Sequence, residues 1–338
     1  MRLALLALAA LACARTATPA SHAQMVYMAP VKVAALGDAG YELVVMDLDG
    51  SNRRQLTDNS VQEFLPHFSP DATRLVYTKF TSGAYGQADA QSVVAAYDFA
   101  TEREILLTDT GKDTYPVWSP DGKRIAFLSR RDLAPMQSGP ALFIMDADGS
   151  SPRRIAEPSG ALDDQFWGDI AWSNDDWILF VVAQNLGGCF KTRLDKIRPD
   201  GSGRTKVTDG GPYCTPAGME QSGDADPGFS PDGSRIYSSR GFPNPPSGAN
   251  GLAERRMYAF SSAAWFTAKP ETDLSLPAQP SCIEGVPKAS PDARRLLLFR
   301  ACFDSPDRRG GVYVSDVEGS YRTFVAEGFG PDWNPTIH

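Results

Sequence analysis

A six-residue phrase, repeated along the chain, constrains the fold more than any other feature. Pro66-His-Phe-Ser-Pro-Asp71 returns as Pro116-Val-Trp-Ser-Pro-Asp121, Pro227-Gly-Phe-Ser-Pro-Asp232 and Pro287-Lys-Ala-Ser-Pro-Asp292. Degenerate copies stand at Ile170-Ala-Trp-Ser-Asn-Asp175 and Pro331-Asp-Trp-Asn-Pro335. Counted from Ser69, the equivalents Ser119, Ser173, Ser230, Ser290 and Asn334 follow at intervals of 50, 54, 57, 60 and 44 residues. Units of this length share one core by stacking, so 338 residues read as one repeated architecture rather than two domains.

Each unit has the same internal order. Ser-Pro-Asp-Gly places Ser, Pro and Gly where a type I turn prefers them. An apolar strand follows, such as Arg74 to Lys79 or Arg124 to Leu128. A further strand, such as Leu142 to Asp146 or Val312 to Asp316, runs into an acidic-Gly pair of the kind found in tight hairpins: Asp49-Gly50, Asp148-Gly149, Asp200-Gly201 or Glu318-Gly319. A last strand leads to Leu56-Thr57-Asp58, Leu107-Thr108-Asp109 or Val207-Thr208-Asp209. The prediction is four hairpin-joined strands per unit. With 30 Gly and 26 Pro, the composition suits short strands and turns and argues against a helical bundle.

These motifs resemble the TolB-type β-propeller repeat, a bacterial relative of the WD-type repeat, and the likeness runs from Tyr41 to Pro335. The resemblance implies an all-β, six-bladed propeller of four-stranded antiparallel blades over residues 24–338. The seventeen residues between Ala23 and Tyr41 leave no room for the α/β domain that precedes the propeller in the family's namesake. The last unit stops after its first strand, while Tyr41 to Asp47 and Arg53 to Thr57 supply later strands. Pairing the C-terminal strand with these would close the ring and cover two open edges. Residues Met25 to Val33 are expected to add the remaining strand.

Residues 1–23 read as a secretory signal peptide, with an apolar stretch too short to anchor in a bilayer. Ser21-His22-Ala23 offers one cleavage site. Ala10-Leu11-Ala12 before Cys13 offers another, which would leave a cysteine open to lipidation as a membrane anchor. Beyond this segment no apolar run exceeds Trp177 to Ala183, so no transmembrane segment is expected. Export makes disulfides the expected state of Cys189, Cys214, Cys282 and Cys302. The repeat register puts all four on one face, two around each of two blades, and so predicts Cys189–Cys214 and Cys282–Cys302.

The formal charge of −8 and the lack of a Lys/Arg run exclude nucleic-acid binding as an expectation. Three histidines, His22, His67 and His338, leave little for imidazole chemistry, and no nucleophile elbow, zinc-protease helix or phosphate loop occurs. Trp118, Trp172 and Trp333 share one repeat position and read as core. The long loop from Gly241 to Gly251 is a candidate contact site on the cysteine-bearing face.

Three residues before each opening Pro stand Glu63, Asp113, Asp224 and Glu284, replaced by Trp167 and Gly328 in the degenerate units. Converging at a funnel mouth, these carboxylates would bind Ca²⁺ or a basic group of a partner. The competing expectation is that each acid accepts hydrogen bonds within its own loop. The sequence as a whole reads as a non-catalytic, monomeric, protein-binding or scaffold module of the bacterial cell envelope, periplasmic or secreted. In the family's namesake, the resemblance implies, such a surface binds the peptidoglycan-associated lipoprotein. The alternative is a propeller enzyme, a glycan lyase or hydrolase using the funnel carboxylates.

Overall fold

The structure, a computed structural model, describes residues 23–33, 37–87, 89–132, 139–158, 165–185, 190–209, 221–242, 254–261, 272–274, 282–302 and 310–337. Among these residues every regular element is a strand. The first repeat unit is an antiparallel meander of β4 (Glu63–Phe68), β5 (Arg74–Ser82), β6 (Gln91–Asp98) and β7 (Arg103–Leu106). The second is β8 (Asp113–Trp118), β9 (Arg124–Ser129), β10 (Ala141–Asp146) and β11 (Arg153–Ala156).

The third comprises β12 (Gln165–Trp172), β13 (Ile178–Asn185), β14 (Phe190–Ile197) and β15 (Thr205–Lys206). The fourth comprises β16 (Gln221–Phe229), β17 (Arg235–Phe242), β18 (Glu254–Ser261) and β19 (Thr272–Asp273). The fifth comprises β20 (Cys282–Ala289), β21 (Arg295–Cys302), β22 (Gly311–Asp316) and β23 (Thr323–Glu327). Short parallel pairings of β14 with β16 and of β18 with β20 join these three meanders into one sheet of twelve strands.

The remaining sheet draws on both ends of the chain. β24 (Phe329–Trp333) lies beside β1 (Met25–Val33), followed by β2 (Gly37–Met46) and β3 (Arg54–Gln55). Met25 pairs with Trp333 and Val26 with Asp332, and beyond the strand Asn334 donates its N–H to the Gln24 carbonyl and its Nδ2 to the Ala23 carbonyl. The first strands of neighbouring meanders lie side by side, β4 by β8, β8 by β12, β12 by β16, β16 by β20, β20 by β24 and β24 by β4.

The repeated phrase has a local physical cause. In five turns the Ser hydroxyl donates to the Asp two residues on and accepts an N–H at the start of the next strand, or in the third turn from Trp177 just before it; Ser69 thus joins Asp71 and Arg74, and Ser119 joins Asp121 and Arg124. The Thr of the Leu-Thr-Asp motif closes the other end. Thr57, Thr108 and Thr208 each accept a backbone N–H, from Leu43, Val94 and Leu194, where the short outermost strand stops. Middle strands are apolar on both sides because meanders pack face to face, and β9 is buried from Ile125 through Ser129. Outermost strands are two to five residues long, which keeps open edges short.

Trp118, Trp172 and Trp333 are buried at 4%, 8% and 6% exposure, as their shared position predicts. Each also receives a guanidinium over its ring, from Arg74, Arg124 and Arg295 at 4.9, 5.1 and 5.2 Å. Arg74 and Arg124 come from the preceding meander, and such contacts tie neighbouring sheets together.

Candidate functional site

The first strands are interrupted at one repeated position. A bulge falls between Phe64 and His67, Thr114 and Val117, Trp167 and Ile170, Ala225 and Gly228, and Gly285 and Lys288. In five units a residue of positive φ stands just before the Pro: Leu65 at 49°, Tyr115 at 55°, Asp226 at 51°, Val286 at 53° and Gly330 at 58°. Proline cannot donate to a ladder, and the bulge re-aims the residues that follow. The third unit uses Gly168 at 74° and carries one residue more between its bulge and Trp172, with Asp169 where Pro would stand.

Two cavities lie on either side of these bulges. The loop-side pocket, about 340 Å³, is lined by the bulge residues and those before them. Its wall is aromatic: Phe64 stacks on Tyr85 at 4.4 Å between centroids, Phe329 lies 6.1 Å from Phe64, and Phe299 packs edge-on against Phe329 at 4.7 Å. Tyr115 completes it, donating its hydroxyl to that of Tyr85, which is 46% exposed at the rim. The turn-side pocket, about 420 Å³, is lined by the residues after the Pro, His67, Val117, Gly228, Lys288 and Asp332 among them.

A cluster of charged groups separates the two. Lys288 Nζ donates to Asp169 Oδ2 at 2.8 Å, and His67 places Nε2 at 3.4 Å from Asp169 Oδ1 and Nδ1 at 3.7 Å from Asp332 Oδ2. Asp169 Oδ1 accepts the Ile170 N–H, and Asp332 Oδ2 accepts that of Phe68. Four first strands thus meet in one ion cluster. Burial opposes charge on Asp169, but Lys288 and His67 outweigh it and hold the carboxyl well below the usual range. Burial likewise pulls Lys288 and His67 down, yet Asp169 and Asp332 leave both above their ordinary values.

The four acids singled out in the sequence occupy equivalent places, but each is buried and bound within its own surroundings. Arg131 grips Asp113 with two bonds of 3.2 and 2.8 Å, and Arg240 grips Asp224 with two of 2.6 and 2.9 Å. Glu284 accepts from Arg300 at 2.9 Å and from Arg322 at 2.9 and 3.0 Å. Glu63 accepts from Asn59 and Thr57 and lies 3.5 Å from Lys79. Burial, reinforced by nearby Glu42, pushes the Glu63 carboxyl up to about 7 against the pull of its donors. Of the four, Glu284 lines the loop-side pocket and the other three line neither cavity. At the sixth equivalent, Gly328, a Cβ would come within 2.3 Å of the Met28 carbonyl, so the approach of β24 to β1 leaves no room for a side chain.

No group of three His, Cys, Asp or Glu side chains among the described residues is arranged to hold a metal ion. Cys282 and Cys302 form a disulfide across directly paired positions of β20 and β21, as the repeat register predicts. The predicted Cys189–Cys214 pair and most of the Gly241–Gly251 loop fall outside the described residues. Sequence reasoning missed Asp169, Lys288 and Asp332 as a cluster. The signal was the position after the repeated Pro, which varies as His, Val, Gly, Lys and Asp while its neighbours stay apolar.

A family model described as the TolB beta propeller domain matches residues 17–175. The uncharacterized peptidase YuxL of Bacillus subtilis (strain 168) is 28% identical over 196 residues, which are 50% of this chain and 28% of that protein. The Tol-Pal system protein TolB of Anaeromyxobacter dehalogenans (strain 2CP-C) is 30% identical over 127 residues, 37% of this chain and 26% of that protein. The matches therefore span little more than a quarter of either relative. Among solved structures, TolB from Acinetobacter baumannii superposes with a TM-score of 0.62 at 18% identity, covering 92% of this chain and 66% of that one, a likeness of fold.

Proposed function

Because this chain belongs to the TolB-type β-propeller family, we propose that its six meanders are the blades of one propeller and that it serves as a protein-binding module of the bacterial cell envelope. The side-by-side order of the first strands and the pairing of β24 with β1 support a closed ring. The leader-like residues 1–23 and the likeness to a Tol-Pal protein support a periplasmic location. Lipidation of Cys13 would add a membrane tether.

The observation that carries the binding reading is the make-up of the loop-side pocket. Its wall is a continuous run of aromatic rings, and of the three carboxylates lining it Asp169 and Glu284 hold ion pairs with Lys288, Arg300 and Arg322, while Asp226 accepts the Ser239 hydroxyl at 2.6 Å. Such a surface offers an anchor pocket for an apolar or aromatic side chain of a partner. An enzyme would place an acid of raised pKa against substrate. Glu63 has the raised pKa but lines neither cavity.

A photo-crosslinking residue placed at Tyr85, on the exposed rim, tests the reading in envelope extract. One stoichiometric protein adduct is expected from position 85 and none from Ile105 on an outermost strand, which is equally exposed at 45%. Adducts at both positions, or none at 85, would remove the loop-side pocket as the binding surface.

A further inference from the structure

The turn-side pocket lies at the opposite end of the first strands and is built differently. Its floor carries His67, Lys288 and Asp332, with Asp169 behind them. His67 is 5% exposed, and its Nε2 has no hydrogen-bond partner. The nearest acceptor, Asp169 Oδ1, is 3.4 Å away and already takes the Ile170 N–H. A buried polar nitrogen in this state is disfavoured, and an added hydroxyl oxygen within reach would relieve it.

The remaining groups of the floor present both hydrogen-bond senses. Lys288 uses one of its three N–H groups on Asp169, and Asp332 accepts the Phe68 N–H on Oδ2. Two acids, Asp169 and Asp332, stand against two bases, Lys288 and His67, and these contacting charges balance, while Asp226, which also acts on Lys288, lines the loop-side pocket. A free anion would meet Asp332, and a cation would meet Lys288. A neutral ligand rich in hydroxyl groups meets neither conflict and uses donors and acceptors together.

The walls favour the same chemistry. Trp118, Trp172 and Trp333 all line the cavity, and each indole is held by an arginine over its ring. Sugars combine hydroxyl edges with apolar C–H faces, which can pack on the small part of these indoles, 4–8% exposed, that the arginines leave open. The volume of about 420 Å³ lies in the range of small-molecule sites. We infer that the turn-side pocket binds a neutral saccharide.

Three of the six tryptophans line this pocket, so intrinsic fluorescence reports its occupancy directly. The full chain is titrated with maltotriose, cellotriose and chitotriose, and with trigalacturonate and trilysine as charged counterparts. At least one neutral trisaccharide is expected to shift the emission saturably and to bind more tightly than either charged probe. By calorimetry its affinity should fall tenfold or more in His67→Gln and in Asp332→Asn, near-isosteric variants whose melting curves report that they fold. Tyr85→Ala, at the other cavity, should bind it unchanged. The inference fails if no neutral sugar saturates, if trigalacturonate or trilysine binds best, or if both folded floor variants bind like wild type.

Discussion

Lys288 of β20 and Asp169 of β12, 119 residues apart, form a 2.8 Å ion pair with side chains 11% and 2% exposed. An ion pair so deeply buried is held less by its own net strength than by the cost of breaking it. Asp169→Ala takes from Lys288 and His67 the closer of their two shared counter-charges, leaving only Asp332, and should destabilise the fold by about 3–5 kcal/mol. The double variant Asp169→Leu, Lys288→Met removes both charges and should recover most of that loss. Urea midpoints for the two proteins check the pair, and a double variant no better than the single one would count against it.

Stability should fall as pH rises through neutrality, because two buried groups bind protons more tightly in the fold than in the unfolded chain. Glu63 moves from 4.5 to about 7, so its contribution is complete below pH 4.5 and lost as pH climbs through 7. His67 is raised above 6.5, so its contribution is complete below pH 6.5 and lost above its folded pKa. The Glu63 shift alone corresponds to about 3 kcal/mol. Thermal melts between pH 5 and 8.5 should show a falling midpoint in wild type and a flatter profile in Glu63→Gln.

Ala72 and Ala293 sit at φ 54° and 57°, where the sister turns place Gly122 and Gly233. A left-handed backbone strains alanine and suits glycine. Ala72→Gly and Ala293→Gly should each stabilise by up to about 1 kcal/mol, and the two turns belong to different meanders, so the gains should add. Differential scanning calorimetry of the single and double variants gives the answer.

The Cys282–Cys302 disulfide closes a separation of 20 residues between adjacent strands. Loop-closure entropy in the unfolded chain predicts a loss of about 3 kcal/mol when it is removed. Melting Cys282→Ser, Cys302→Ser beside the oxidised wild type measures that loss, and equal midpoints would contradict it.

The repeat made strands and turns readable because Ser, Pro and Asp act within a few residues of one another. The ion pairs were also written at regular spacing: Glu284 with Arg300 and Asp224 with Arg240 lie 16 residues apart, and Asp113 with Arg131 lies 18 apart. Taken without their partners, the acids suggested a shared mouth. The charged cluster was hidden for a different reason. Asp169 stands where Pro would, but one additional residue follows it in this degenerate unit, so alignment on Ser173 puts Ile170 at the Pro position instead. His67, Lys288 and Asp332 share the position after the repeated Pro, but their contact with one another and with Asp169 depends on the bulges that bring four strands together.

The bond from Asn334 Nδ2 to the Ala23 carbonyl joins residues 311 apart. Synthesis delivers β1 and β2 first and β24 last among the described strands, so the strand that completes their sheet arrives only after the five intervening meanders have been made. Until then β1 offers an unpaired edge to any passing chain. The strand Phe329–Trp333 therefore acts as a timing element, and a nascent chain cut short before Phe329 would leave that edge open for chaperones or proteases to find.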